Sequence, residues 1–149
     1  MALDAAQEVT VEVAASQEEC FSVIVDFDRY PEWSSAVRRA RILERDEKGV
    51  GRLVEFEIDV RIKTLRYVLE YGYRRPTQLT WKSVEGDVES IAGIYRFRKL
   101  GARRTEATCR QEIRLGFWIP GPLRAIAERT ALAQSVTEFQ AAVERLTAR

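Results

Sequence analysis

The feature that most restricts this chain is an alternation with a period of two. In Arg52–Ile62, the residues Val54, Phe56, Ile58, Val60 and Ile62 alternate with Glu55, Glu57, Asp59 and Arg61. Successive side chains of an extended strand point to opposite faces, so such a stretch has one apolar face and one charged face. Leu65–Arg74, Gln78–Val84, Glu89–Lys99 and Arg104–Phe117 are further strands of this kind, and Val37–Arg45 precedes them. Gly49-Val-Gly51, Arg75-Pro76-Thr77, Gly86-Asp87 and Gly101-Ala102 fall between them, which predicts consecutive antiparallel strands joined by tight turns. A sheet with one apolar face must cover it. The cover is a helix over about Pro122–Leu146, where Leu132, Val136, Phe139, Val143 and Leu146 form one continuous stripe.

Ahead of these strands, Glu8–Val13 reads as a first strand. Ser16 has the position of an N-cap, with Glu19 completing a capping box. The helix it opens runs to about Asp26 and buries Cys20, Phe21, Val23 and Ile24. Asp28–Trp33 follows as a break and a second short helix, with Pro31 in its first turn, where a missing N–H costs nothing. The order is strand, two short helices, six strands, long helix. This predicts an α+β fold with a seven-stranded antiparallel sheet, and 149 residues without repeat or linker predict one domain, 1–149.

Composition narrows the chemistry. The chain has no His, which excludes His general bases, Ser-His-Asp and Cys-His pairs, and zinc sites with His ligands. No cofactor is expected. Lys and Arg total 24 against 23 Asp and Glu, a net charge of +1, so no net field draws the chain to nucleic acid, and none is expected as a partner. Met1–Gln7 lacks the basic and apolar regions of a secretory signal, and the longest apolar runs are a few residues, as in Val23-Ile-Val25. Cys20 and Cys109 lack metal-ligand spacing and fit a reducing compartment, so the expected location is cytoplasmic.

Three segments in this order carry a resemblance: Val25-Asp-Phe-Asp-Arg-Tyr-Pro-Glu-Trp33, Arg41-Ile-Leu-Glu44 and Gly93-Ile-Tyr-Arg-Phe97. The chain resembles the polyketide cyclase/dehydrase and lipid-transport branch of the START-like superfamily, also called SRPBCC or Bet v1-like. Within that branch it is most similar to actinobacterial members of unassigned role. The resemblance implies a helix-grip fold, in which the sheet curves around the C-terminal helix and leaves a cavity. It implies binding, with transport as an extension of binding, of a hydrophobic small molecule: a lipid, isoprenoid, quinone or polyketide. Two alternatives stand beside it: a polyketide cyclase/dehydrase (aromatase/cyclase) enzyme, and an interaction module like the ribosome-association toxin of the superfamily.

The inward strand face is apolar and aromatic with few polar handles, as a small-molecule pocket needs. A cavity of roughly 300–1,000 Å³ is expected, bounded by Tyr67, Tyr71, Trp81, Tyr95, Gln111 and the C-terminal helix. Phe56 and Val136 belong to its walls, and Trp33 to one end. Tyr67, Tyr71 and Tyr95 either present hydroxyls to a ligand or simply pack. Gln111, alone among apolar neighbours, meets a ligand, a water or a tyrosine hydroxyl. Tyr30 and Trp33 border the cavity or clamp the short helix onto the sheet. Asp26 and Asp28 read as cap or turn residues, and Cys109, with no cation beside it, as inert core.

The apolar loop Phe117-Trp-Ile-Pro-Gly-Pro122 is a gate containing Trp118, a patch for transient membrane contact through Phe117–Ile119, or a segment folded onto the short helices. Arg66, Arg74, Arg96, Arg98, Arg110 and Arg114 share the outer face with Glu55, Glu57, Asp59, Glu70 and Glu112, which favours cross-strand ion pairs over a basic stripe. With no His and no inward strand carboxylate to move protons, binding ranks ahead of catalysis.

Overall fold

The computed structural model describes residues 6–60, 63–116 and 121–148; side chains are described for all of these except residues 60 and 121–130. Strand β1 (Gln7–Val13) leads into helix α1 (Gln17–Ile24), a 3-10 turn (Phe27–Arg29) and the short helix α2 (Tyr30–Trp33). Strands β2 (Val37–Arg45), β3 (Gly51–Val60), β4 (Lys63–Arg74), β5 (Gln78–Gly86), β6 (Ser90–Gly101) and β7 (Arg104–Arg114) follow, then helix α3 (Gly121–Leu146). The seven strands form one antiparallel sheet in the order β1-β7-β6-β5-β4-β3-β2. Strand β1 thus returns to pair with the last strand, and the meander β2 to β7 makes up the rest.

The capping box at Ser16 is present in both directions: Ser16 Oγ accepts from the Glu19 backbone, and the Glu19 carboxylate accepts from the Ser16 backbone. Pro31 lies in the first turn of α2, and Asp26 stands at the N-cap of the 3-10 turn, where its carbonyl accepts from the Arg29 backbone although its side chain makes no capping bond. Helix α3 is tied down by side chains rather than by its stripe alone. Glu144 accepts from the Ala14 backbone and Glu138 from the Ser35 backbone, while Gln140 donates to the Glu12 carbonyl. Leu132, Val136, Phe139 and Val143 are buried as the periodicity requires. Leu146 is 46% exposed, so the stripe leaves the core one turn early, while Ala142 beside Val143 is also fully buried. No described helix is long and apolar enough to cross a membrane.

The outer face carries the expected ion pairs. Arg66 bridges Glu55 and Glu85, Arg52 bridges Glu44 and Glu70, and Arg98 pairs with Glu106. Glu55 is buried between Arg41 and Arg66, and Val68 beside it is only 2% exposed, although the alternation assigns it to the solvated face. Long arginine stems lie over apolar surface while their charges stay in water, so an outward valine among them can still be buried.

Candidate functional site: the aromatic inner face

The inner face is organised by aromatic contacts. Tyr30, Trp33, Phe139, Tyr95, Trp81, Tyr71 and Phe27 form a closed circuit in which neighbouring ring centroids lie 4.7–6.1 Å apart. The circuit passes from the short helices to α3, across β6, β5 and β4, and back. Phe56 touches it at Phe27 and Tyr30 and extends it to Tyr67 at 5.9 Å. Tilted and edge arrangements of this kind stabilise by about 0.5–1.5 kcal/mol per pair beyond burial. The Tyr30 hydroxyl donates to the Ile24 carbonyl at the end of α1, and the Trp33 ring meets Phe139 of α3. The Tyr30–Trp33 pair therefore clamps the short helices and also forms part of the aromatic wall.

Exposure rises along this face. Val13, Cys20, Phe21, Thr105, Phe97 and Phe139, toward the β6–β7 turn, are 0–2% exposed. Ile58, Tyr67, Gln111, Ile113 and Leu115, toward the opposite ends of β3, β4 and β7, are half-buried, although Leu65 and Ile91 among them stay buried. Tyr67 combines two properties. Its hydroxyl is pushed well above the usual tyrosine range by desolvation alone, yet its side chain keeps accessible surface. Burial also raises the Tyr71 and Tyr95 hydroxyls, so at neutral pH all three are protonated and able to donate.

The polar handles sit beside one another. Trp81 faces Gly93 across the β5–β6 ladder, and a Cβ at Gly93 would come within 2.4 Å of the indole ring. Only glycine lets the ring lie flat over β6 and reach β7, where the indole Nε1–H donates to Gln111 Oε1 at 3.0 Å. Of the partners expected for Gln111, a ligand, a water or a tyrosine hydroxyl, the one within the chain is thus Trp81 in place of a tyrosine. The buried Tyr95 hydroxyl has no hydrogen-bond partner. Cys109, opposite Tyr95 in the ladder, is a buried free thiol pushed up to about 12, as inert core should be.

Of the residues expected at the site, Trp33, Tyr71, Trp81 and Tyr95 join one circuit, Phe56 and Tyr67 extend it, and Gln111 is hydrogen-bonded to it. Val136 is fully buried. Trp118 and the rest of the proposed gate, Phe117–Ile119, lie outside the described residues. A groove of about 360 Å³ occurs elsewhere, between α1, α2 and the C-terminal end of α3, and of the expected residues it includes only Trp33. Val23, Trp33 and Leu146 give it an apolar surface, with Glu18, Asp26, Arg29, Glu32 and Arg145 around them. Phe27 and Phe139 close the circuit but were absent from the candidate set; their apolar positions in the Asp-Phe-Asp segment and the helix stripe were the available signal. Among the described residues no cluster of Cys, Asp and Glu could hold a metal ion.

The family described as polyketide cyclase / dehydrase and lipid transport matches residues 13–140. The chain belongs to that family. A START superfamily protein from Mycobacterium smegmatis superposes with a TM-score of 0.87 at 23% identity, covering 95% of this chain and 99% of that one. The Zhui aromatase/cyclase from Streptomyces sp. R1128 gives 0.81 at 18% identity, with 97% and 96% covered. A protein from Thermus thermophilus gives 0.83 at 15% identity, with 97% and 100% covered. These likenesses establish the helix-grip fold of the START-like superfamily. No curated protein matches the chain in sequence.

Proposed function

We propose that this family member binds a hydrophobic small molecule, of the lipid, isoprenoid, quinone or polyketide kind, against the aromatic inner face at its half-buried end. The observation that carries this reading is the half-buried end of the inner face, where Tyr67 keeps accessible surface while its ring joins the aromatic circuit through Phe56. The half-buried Ile113 and Leu115 at the same end supply apolar wall, and the Tyr71–Trp81–Tyr95 arc supplies the floor. Transport follows from binding if Phe117, Trp118 and Ile119 contact a membrane during loading, and the two free thiols suit work in the cytoplasm.

Binding is favoured over cyclisation because the groups facing the proposed ligand are proton donors. The tyrosine hydroxyls are raised above their usual range, and the buried carboxylate, Glu55, lies on the outer face between two arginines. Such donors can orient a carbonyl or stabilise an enolate, but they do not supply the base that removes a proton near neutral pH.

Titration with the apolar dye N-phenyl-1-naphthylamine tests the reading. Saturable fluorescence enhancement is expected, abolished by Ile113→Asp and unaffected by Leu146→Asp in the groove beside α1 and α2. Enhancement that fails to saturate, or that survives Ile113→Asp and is lost in Leu146→Asp, would reject it.

A further inference from the structure

The groove between α1, α2 and the end of α3 lies outside the inner face and has a chemistry of its own. Val23, Trp33 and Leu146, one from each helix, give it an apolar surface. Leu146 is 46% exposed and Trp33 is half-buried, so both keep surface that the core does not use. On its core side the Trp33 ring meets Tyr30 and Phe139. The volume of about 360 Å³ lies within the roughly 300–1,000 Å³ usual for a small-molecule site.

Most of the charges around this surface are already matched. Glu18 pairs with Arg75 at 3.1 Å, Glu19 with Arg103 at 3.4 Å and Glu32 with Arg29 at 3.2 Å. One carboxylate and one guanidinium remain. The exposed Asp26 side chain makes no hydrogen bond or ion pair among the described residues. Arg29, on which Asp26 acts at longer range, is held by Glu32 through two of its nitrogens. Arg145 is exposed and likewise has no carboxylate partner among the described residues. A cation in the last turn of a helix can serve the free carbonyls there. Other groups already do so in α3: Thr147 donates to the Val143 carbonyl from its backbone and its hydroxyl, and Arg103 donates to the Thr147 carbonyl. The groove therefore presents an apolar surface with one unmatched charge of each sign.

We propose that this groove is a second binding site, for a small apolar zwitterion. An ammonium group lies against Asp26, a carboxylate against Arg145, and an apolar side chain over Val23, Trp33 and Leu146. Free apolar amino acids and short apolar peptides have this chemistry. A ligand with one charge leaves Asp26 or Arg145 unmatched, and a neutral ligand leaves both. Arginine can receive a carboxylate through two parallel N–H bonds, which favours that end of the ligand over a simple dipole. The site is separate from the inner face and stands or falls independently of the reading above.

The probes are L-leucine and L-leucyl-L-leucine, each compared with its C-terminal amide, which keeps only the ammonium, and its N-acetyl form, which keeps only the carboxylate. Binding is followed at the Trp33 indole and Leu146 methyl resonances of isotopically labelled protein. The expected result is a saturable shift of both with at least one zwitterion, and an affinity lower by about threefold to tenfold for each of its capped forms. Asp26→Asn should lower the affinity of the zwitterion to that of its N-acetyl form, and Arg145→Gln to that of its amide. Both side chains are exposed and bond to nothing else among the described residues, so the melting temperatures should not change. Saturating N-phenyl-1-naphthylamine, the probe of the inner face, should not displace the zwitterion. The proposal is overturned if neither zwitterion shifts Trp33 and Leu146 saturably, or if a capped form binds as tightly as its parent. It is also overturned if both variants keep the wild-type affinity, or if the dye displaces the ligand, which would place the two on one surface.

Discussion

The two ends of the inner face are built from similar residues and differ in how completely they are filled. Toward the β6–β7 turn, Val13, Phe21, Phe97, Thr105 and Phe139 interlock with at most 2% exposure. Thr105 donates to the Ala15 carbonyl there, so even the buried hydroxyl is satisfied. Toward the other end, Tyr67, Gln111, Ile113 and Leu115 keep accessible surface. Nearer the middle, the Tyr95 hydroxyl has no partner. One end has its hydrogen bonds made and its volume occupied, which is what stability selects. The other leaves donors and apolar wall unused, which is what a ligand requires. The same sheet can therefore hold the fold together at one end and remain available at the other.

The sharpest way to break this contrast is to truncate matched residues. Phe139→Ala, at the closed end, should cost about 3–5 kcal/mol in urea unfolding, because it removes a fully buried ring that touches Trp33, Tyr95 and Phe97. Ile113→Ala, at the other end, should cost only about 1 kcal/mol. Equal losses would mean that both ends are packed alike.

Alkaline pH probes the same burial. Cys20 is pushed up to about 11 and Cys109 to about 12 from 9.0, mainly by desolvation, and Tyr67, Tyr71 and Tyr95 are raised from 10.0. Above about pH 9 the unfolded chain begins to release protons that the folded chain retains. The unfolded state then binds fewer protons, so stability is full below about pH 9 and falls as pH rises toward the folded values. Thermal melts between about pH 8 and 11 should show this decline, and a thiol reagent at about pH 8 should label neither cysteine until urea is added. Rapid labelling of the folded protein under those conditions would contradict the closed packing around Cys20.

Two smaller effects sharpen the boundary between the ends. Gly93→Ala should cost about 1–3 kcal/mol by forcing the Trp81 ring off β6. It should also change tryptophan emission, which an ordinary strand glycine substitution would not. Tyr95→Phe should leave the free protein as stable or raise its stability by about 1 kcal/mol, since it removes a buried hydroxyl that makes no hydrogen bond. A comparable loss would show that the hydroxyl is satisfied in the free protein.

Most of the fold was legible because period-two alternation sets strand faces directly: Val54, Phe56, Leu69, Leu79 and Phe97 are all buried as that pattern requires. The capping box at Ser16 was equally readable, since it is a local hydrogen-bond pattern. Val68 lies on the outer face as read, but its burial was not legible because it depends on arginine stems from neighbouring strands, and Leu146 was misplaced because helical period says nothing about where the sheet beneath ends. At the site, the face of Gln111 was legible, but its partner was not. Trp81 and Gln111 lie on strands separated by β6, and only the flat indole over Gly93 brings them together.

The most direct test of the central claim is to map amide chemical shifts while fluorene is titrated into isotopically labelled protein. The account predicts the largest changes at Tyr67, Gln111, Ile113 and Leu115, with Val13, Cys20 and Thr105 nearly unmoved. Changes centred on Val23, Trp33 and Leu146 would instead assign binding to the groove between α1, α2 and α3 and contradict the account.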